Sequence, residues 1–161
     1  MALPFFLGCA KNHNIPPAQL DYLDSSRGSA DIYKVLFTSD ADISNVFKSK
    51  GSSVSGLLRC SLVSDTPNEH SSERYVAKGL ISAATSGESM APFVFQSELL
   101  FVENINDGRS YRDLKVQDLR EILGARQSVS CVYWAAAYGF KPYRSGILQI
   151  PVADIFRELD K

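Results

Sequence analysis

The chain of 161 residues has the length of one domain, with 45% hydrophobic residues, 22% charged residues and a formal net charge of −1. This composition is typical of a globular protein that buries a core, and it excludes a fibrous or disordered chain. The near-neutral charge argues against a broad face for duplex nucleic acid, which needs an excess of Lys and Arg, although a local basic patch stays compatible with it.

The cysteines and the apolar runs indicate the compartment. Cys9, Cys60 and Cys131 form an odd, widely spaced set. We therefore expect no disulfide framework and a reducing compartment, either cytoplasmic or nuclear. The longest apolar runs, such as VYWAAAYGF, are far shorter than the roughly 20 residues that span a bilayer. The amino-terminal run lacks the basic start of a secretory signal, so we expect neither a signal nor a membrane span.

The first half of the chain predicts two helices and three strands. A proline suited to the first helical turn opens the segment PAQLDYL. Ser39 is a suitable cap for a second helix, whose apolar residues Ile43, Val46 and Phe47 fall on one face before Gly51 ends it. Segments rich in β-branched and aromatic residues predict the strands. In chain order these elements are helix 17–23, strand 31–38, helix 39–51 and strands 55–64 and 74–84.

The second half contains the strongest strand pattern, APFVFQSELLFVEN. Its residues alternate between two faces, one carrying Phe95, Leu99 and Phe101. The segment SYRDLKVQDLREILG predicts a helix that begins at the capping pair Ser110 and Asp113. A proline again suits the first turn of a closing helix. In chain order these elements are strand 91–104, helix 110–124, strand 128–136, a strand from 145 and helix 151–161.

These elements predict an α+β fold in one domain that covers residues 1–161. Strand and helix signals do not alternate as they do in βαβ proteins, so we expect a mainly antiparallel sheet. The prediction is about six strands with three to four helices packed on them.

Cys131 has two interpretations. A cysteine nucleophile needs a nearby base, for which His70 is a candidate. The order of His70, an acidic residue, Gln127 and Cys131 resembles that of the adenoviral and ubiquitin-like cysteine proteases. The resemblance implies a cysteine hydrolase with Gln127 in the oxyanion hole. However, Val129, Cys131 and Tyr133 alternate as in a buried strand, and free cysteine is among the most buried residue types. We interpret Cys131 as interior packing and keep the hydrolase as the alternative.

Other patterns for chemistry are weaker. Gln96-Ser97-Glu98, with Arg59 upstream, resembles the Q-x-E arrangement of some ADP-ribosyltransferases, in which the glutamate engages the nicotinamide ribose. Glu98 is equally typical of a polar residue on a half-exposed strand. The cysteines and histidines lack the paired spacing of a zinc site, and neither glycine-rich phosphate-binding motif occurs. We therefore predict no metal and no cofactor.

The segment YGFKPYR is the best candidate for a binding site. Tyrosine and arginine are concentrated in the hot spots of protein interfaces, because rigid rings and forked donors give affinity at a low entropic cost. The same rings could stack on single-stranded bases while the cations contact phosphates. The binding residues that we predict are Tyr138, Phe140, Lys141, Tyr143 and Arg144.

We therefore predict a non-enzymatic protein that acts through protein–protein contacts or self-association, with no membrane span. An isolated domain without a catalytic motif would suit a small accessory or structural protein of a virus or mobile element. Two alternatives stay open, a cysteine hydrolase and a protein that binds single-stranded nucleic acid through the Tyr138–Arg144 loop.

Overall fold

The computed structural model describes residues 10–28, 32–51, 55–68, 73–84 and 91–161. Within these ranges the chain forms eight strands, two short α-helices and two 3-10 turns. The strands are β1 (Leu20–Arg27), β2 (Tyr33–Ser39), β3 (Ser55–Ser61), β4 (Tyr75–Ala83), β5 (Phe93–Ile105), β6 (Ser110–Asp113), β7 (Ser128–Ala136) and β8 (Tyr143–Pro151). The helices are α1 (Val116–Leu123) and α2 (Val152–Leu159), and the 3-10 turns are Ile43–Asn45 and Lys48–Lys50.

All strands belong to one antiparallel sheet. Their order is β1-β2-β5-β4-β3-β7-β8, and β6 pairs with the last residues of the long strand β5. The sheet curls until its two ends approach each other, so that β1 contacts β8. At that closure, Gly146 N of β8 donates to Ala18 O, just before β1, at 2.8 Å.

The core lies on the inward face of the curled sheet. Along β5 the predicted alternation is confirmed, because Phe95, Leu99 and Phe101 are buried whereas Glu98 and Leu100 are exposed. The helices α1 and α2 pack against each other, and α2 also contacts β1, β7 and β8. Because α2 follows the last residue of β8 directly, the helices lie at the end of the sheet opposite to the loop that joins β7 to β8.

The predicted balance of helix and sheet is wrong. Residues 17–23 do not form a helix, because Leu20–Arg27 pairs with β2 on both sides of an irregularity at Leu23. The predicted helix 39–51 is reduced to two 3-10 turns, although Ile43 and Phe47 are buried on one side as expected. The Ser39 hydroxyl contacts both the N–H and the C=O of Ala41, and such local hydrogen bonds compete with a helix.

The predicted helix 110–124 is also shorter than expected. Its first residues, Ser110–Asp113, form β6 instead, so the expected capping pair lies in a strand. Helix α1 begins after Lys115, whose N–H donates to the Asp118 carboxylate at 3.0 Å. The molecule is therefore a mainly antiparallel β structure with short helices at one end and not an α+β domain with three to four packed helices. The closing helix is confirmed as α2.

A disulfide joins Cys60 to Cys131, which corrects the expectation that no cysteines pair. The two residues are direct register partners on β3 and β7, and both side chains are fully buried. The inward-facing row across the sheet continues from Cys60 through Ala77 to Phe101 and from Cys131 to Leu148. The bond therefore lies in the middle of the core.

Across the described parts of the chain, helices are too short and too polar to cross a bilayer.

Candidate functional site

The loop of residues 137–142 joins β7 to β8 and is held by backbone hydrogen bonds. Lys11 N donates to Gly139 O at 2.8 Å, and Lys141 N donates to Lys11 O at 2.9 Å. Gly139 has a φ of 78°, a left-handed backbone conformation that residues with a side chain rarely adopt. This frame leaves the Tyr138 side chain 98% exposed at the tip.

Aromatic rings support the loop from the core side. The Phe140 ring lies 5.8 Å from that of Phe47, between ring centroids, and Phe47 is fully buried. His13 contacts both Phe47, at 5.6 Å edge to face, and Tyr143, at 5.8 Å. Rings at such distances and tilts attract one another beyond the area that they bury. The loop therefore rests on a packed aromatic platform.

The five predicted binding residues do not form one surface. Tyr138 and Lys141 are exposed, and Phe140 is half-buried on Phe47. Tyr143 lies in the core, only 1% exposed, where burial raises the pKa of its phenol and its oxygen accepts the Ala18 N–H at 2.7 Å.

Arg144 is exposed, but it points away from the tip of the loop. Its guanidinium lies 5.4 Å from the ring centroid of Trp134 and donates to Pro67 O at 3.3 Å. Tyr143 and Arg144 diverge because β8 already begins at Tyr143, so that successive side chains point to opposite faces. The candidate site therefore comprises Tyr138, Phe140 and Lys141.

The structure adds two cationic segments that sequence reasoning did not connect with this loop. The backbone of Lys11 is bridged to Phe140 of the loop. Lys48 and Lys50 lie one and three residues after Phe47, the residue on which Phe140 packs. The side chains of Lys11, Lys48, Lys50 and Lys141 are exposed, and within the described ranges none of the four takes part in an ion pair. No local pattern could reveal this gathering, because the three segments lie far apart in the chain.

Two carboxylates near this end of the sheet are already engaged. The Asp40 side chain accepts the Gln19 N–H at 2.8 Å. Asp42 accepts hydrogen bonds from the Ser44 hydroxyl at 2.6 Å and from the Asn45 amide at 2.8 Å. Burial alone would raise the pKa of Asp42, but these hydrogen bonds outweigh burial and lower it. The end of the sheet that carries the 137–142 loop therefore has exposed lysines. The two carboxylates near this end accept hydrogen bonds from groups of the chain itself.

The alternative catalytic residues are not brought together by the described structure. The Cys131 sulfur is bonded to that of Cys60, and a disulfide sulfur carries no thiolate for nucleophilic attack. Gln127 is exposed in the connection just before β7. His70 lies outside the described residues.

The residues of the weaker patterns lie apart or are engaged elsewhere. The Glu98 carboxylate contacts Lys34 Nζ at 3.3 Å on the outward face of the sheet. Across the described ranges no three residues of the types His, Cys, Asp and Glu are grouped so that they could hold a metal ion. Cys9, which a zinc site would have needed, also lies outside the described residues.

A buried carboxylate, Glu103, lies at the opposite end of the sheet. Only 7% of the residue is exposed, and its two oxygens are bound by Arg74, at 2.7 Å, and by Arg112, at 2.5 Å. Hydrogen bonds from Arg74 and then Arg112 lower the pKa of Glu103. Arg112 also contacts Asp118 of α1 at 3.2 Å. These contacts tie the residue just before β4 to β5, β6 and α1, which is a structural role.

The Glu103 group should make stability depend on pH in the acid range. A carboxyl whose pKa is lower in the folded state stabilises the fold above its unfolded pKa, near 4.3, and loses that contribution as the pH falls through the folded pKa. We expect Glu103→Gln to lower the urea midpoint at pH 7, and we expect its difference from wild type to shrink below pH 4. A difference that is the same at pH 7 and pH 3 would contradict this assignment.

Comparison of the chain with protein-family models, with curated proteins and with solved structures gives no match.

Proposed function

We propose that the protein is non-enzymatic and acts by binding a protein partner through the loop of residues 137–142, with Tyr138 as the anchor. The observation that carries the proposal is the 98% exposure of Tyr138 on a loop whose backbone is hydrogen-bonded to Lys11 at Gly139 and Lys141. Tyrosine anchors are common among residues that dominate interface energetics.

The rigidity of the loop favours binding. Ordering a flexible segment on association costs free energy, and a segment that is ordered in advance avoids much of that cost. Here the hydrogen bonds to Lys11 and the packing of Phe140 on Phe47 hold the loop in one shape. The Tyr138 ring can therefore be buried by a partner without a folding step.

The charges around the ring restrict the chemistry of the partner. The backbone of Lys11 is bridged to Phe140, and Lys141 lies three residues after Tyr138; both lysines are exposed. A partner that buries the ring brings its own side chains beside these ammonium groups, and carboxylates there would give electrostatic complementarity. We therefore favour a partner surface with an apolar pocket and acidic residues at its rim. A single strand of nucleic acid, with bases to stack and phosphates to pair, is the competing occupant.

Photo-crosslinking tests the proposal directly. A photoreactive phenylalanine analogue is placed at position 138 and, as a matched control, at position 111, where Tyr111 is 60% exposed on β6 at the opposite end of the sheet. After irradiation in expressing cells, we expect position 138 to capture a protein that position 111 does not capture. The same capture at both positions, no capture at either, or capture of nucleic acid alone at position 138 would overturn the proposal.

A further inference from the structure

The outward face of β3, β4 and β5 carries exposed leucines away from the Tyr138 loop. Leu80 is 69% exposed and Leu100 is 40% exposed. We name the surface around these two residues the leucine face. It borders a depression of about 550 Å³ whose lining includes Leu57, Leu80, Glu98 and Leu100. Single exposed leucines are common, but adjacent ones beside a depression are typical of an interaction site.

Register places four side chains of this face at the corners of a rectangle. Lys78 on β4 is the partner of Leu100 on β5, and Ile81 is the partner of Ser97, so Leu80 lies opposite Glu98. Neighbouring strands are about 4.8 Å apart, and residues two positions apart along a strand are separated by about 6.8 Å. Leu80 and Leu100 therefore occupy one diagonal of the rectangle, and Lys78 and Glu98 occupy the other.

This arrangement is complementary to itself. A two-fold axis along the diagonal from Leu80 to Leu100 brings each leucine against its own copy. In projection, the same rotation brings Lys78 to within about 3 Å of the Glu98 position of a second copy, and Glu98 equally near its Lys78 position, close enough for the flexible side chains to pair. The strands of the two sheets would cross at roughly 70° for these spacings, near the orthogonal class of sheet packing. An isologous contact of this kind closes into a dimer.

We propose that the leucine face binds a second copy of this chain, with Leu80 and Leu100 on the two-fold axis and two symmetric pairs between Lys78 and Glu98. The charge pattern selects this occupant, because a peptide of one charge sign would be repelled by one corner of the rectangle. The contacts that Glu98 and Lys78 make within one chain are exposed, so pairs across the dimer interface can replace them. Glu98 contacts Lys34 with both side chains about half exposed, and Lys78 Nζ lies 4.6 Å from the exposed Tyr111 ring.

The solution mass and three charge variants test the proposal. Light scattering of the wild type over about 1 to 500 µM should show a mass that rises from 17.7 kDa to about twice that value. Lys78→Glu and Glu98→Lys should each weaken the dimer at least about tenfold, because each places like charges together twice per dimer. The double variant Lys78→Glu/Glu98→Lys restores opposite charges and should recover most of the affinity.

Leu80→Cys supplies an independent geometric test. A cysteine on the two-fold axis lies opposite its own copy, but sheets packed face to face are about 10 Å apart, which is too far for a direct disulfide. A short bismaleimide crosslinker should therefore join Leu80→Cys, in a Cys9→Ala background, into a covalent dimer. Leu23→Cys, at a residue 49% exposed on β1, is the matched control, and the reagent should not join it into a covalent dimer. Both side chains are exposed, so little change in the unfolding midpoint is expected.

Three results would overturn the leucine-face dimer. They are a wild-type mass that stays at 17.7 kDa at 500 µM, a double charge variant no better than its single variants, and equal crosslinking at positions 80 and 23. The leucine face and the Tyr138 loop are different surfaces of the molecule. Tyr138→Ala should leave the dimer intact, so either idea can fail alone.

Discussion

Replacing Cys60 and Cys131 together with alanine should lower the free energy of unfolding by about 4 kcal/mol. The disulfide closes a loop of 71 residues, and a crosslink over that separation removes chain entropy from the unfolded state of about this size. Both sulfurs are fully buried among core side chains, so their loss also removes packing. Denaturant titrations of the oxidised wild type and of the variant would measure the difference.

The single variants provide the control for this prediction. Cys60→Ala and Cys131→Ala each break the same bond, so each should cost nearly as much as the double variant. Wild type that is unfolded and refolded under reducing conditions should approach their stability. Free thiol at both positions in the oxidised folded protein, or a midpoint that reductant does not shift, would show that the bond does not form.

Phe47→Ala should have the second large effect, a loss of about 3–5 kcal/mol in the free energy of unfolding. The ring is fully buried, and truncation of such a ring leaves a cavity in addition to the lost burial. Phe47 also supports the loop through Phe140 and contacts His13. We therefore expect faster amide hydrogen exchange in residues 137–142 of the variant at temperatures where it stays folded.

Tyr138→Ala is the matched comparison for Phe47→Ala. Its ring is 98% exposed, and exposed substitutions without special contacts usually change stability by less than about 0.5 kcal/mol. Equal losses of stability in the two variants would mean that Tyr138 packs on the protein in solution. A loss below about 1 kcal/mol for Phe47→Ala would contradict the aromatic platform.

Local patterns in the sequence predicted the parts of the fold that depend on neighbouring residues. The alternation along β5 identified its buried face, because a half-buried strand repeats every two residues. The closing helix α2 was recognised from its proline and its apolar spacing. The predicted Tyr138–Arg144 loop is a connection as far as residue 142, whereas Tyr143 and Arg144 belong to β8.

Features that depend on distant segments could not be predicted. Cys60 and Cys131 meet because β3 lies beside β7, an arrangement that spacing along the chain does not reveal. The helix predicted at 17–23 failed because pairing with β2 outweighed helix propensity. The helix predicted at 39–51 failed for a local reason, since the Ser39 hydroxyl bonds to the backbone of Ala41. The surface of the loop was only partly predicted, because β8 begins at Tyr143 and turns that ring into the core.

The most direct test of the central claim is a titration of the protein captured at position 138 against wild type, Tyr138→Ala and Tyr111→Ala. If Tyr138 is the anchor of the interface, its truncation should cost at least about 2 kcal/mol of binding free energy, a roughly thirtyfold weaker Kd. Tyr111→Ala should change the Kd by less than about twofold, since residues outside an interface contribute little. An unchanged Kd for Tyr138→Ala, or equal losses for both variants, would contradict the assignment of the loop as the binding site.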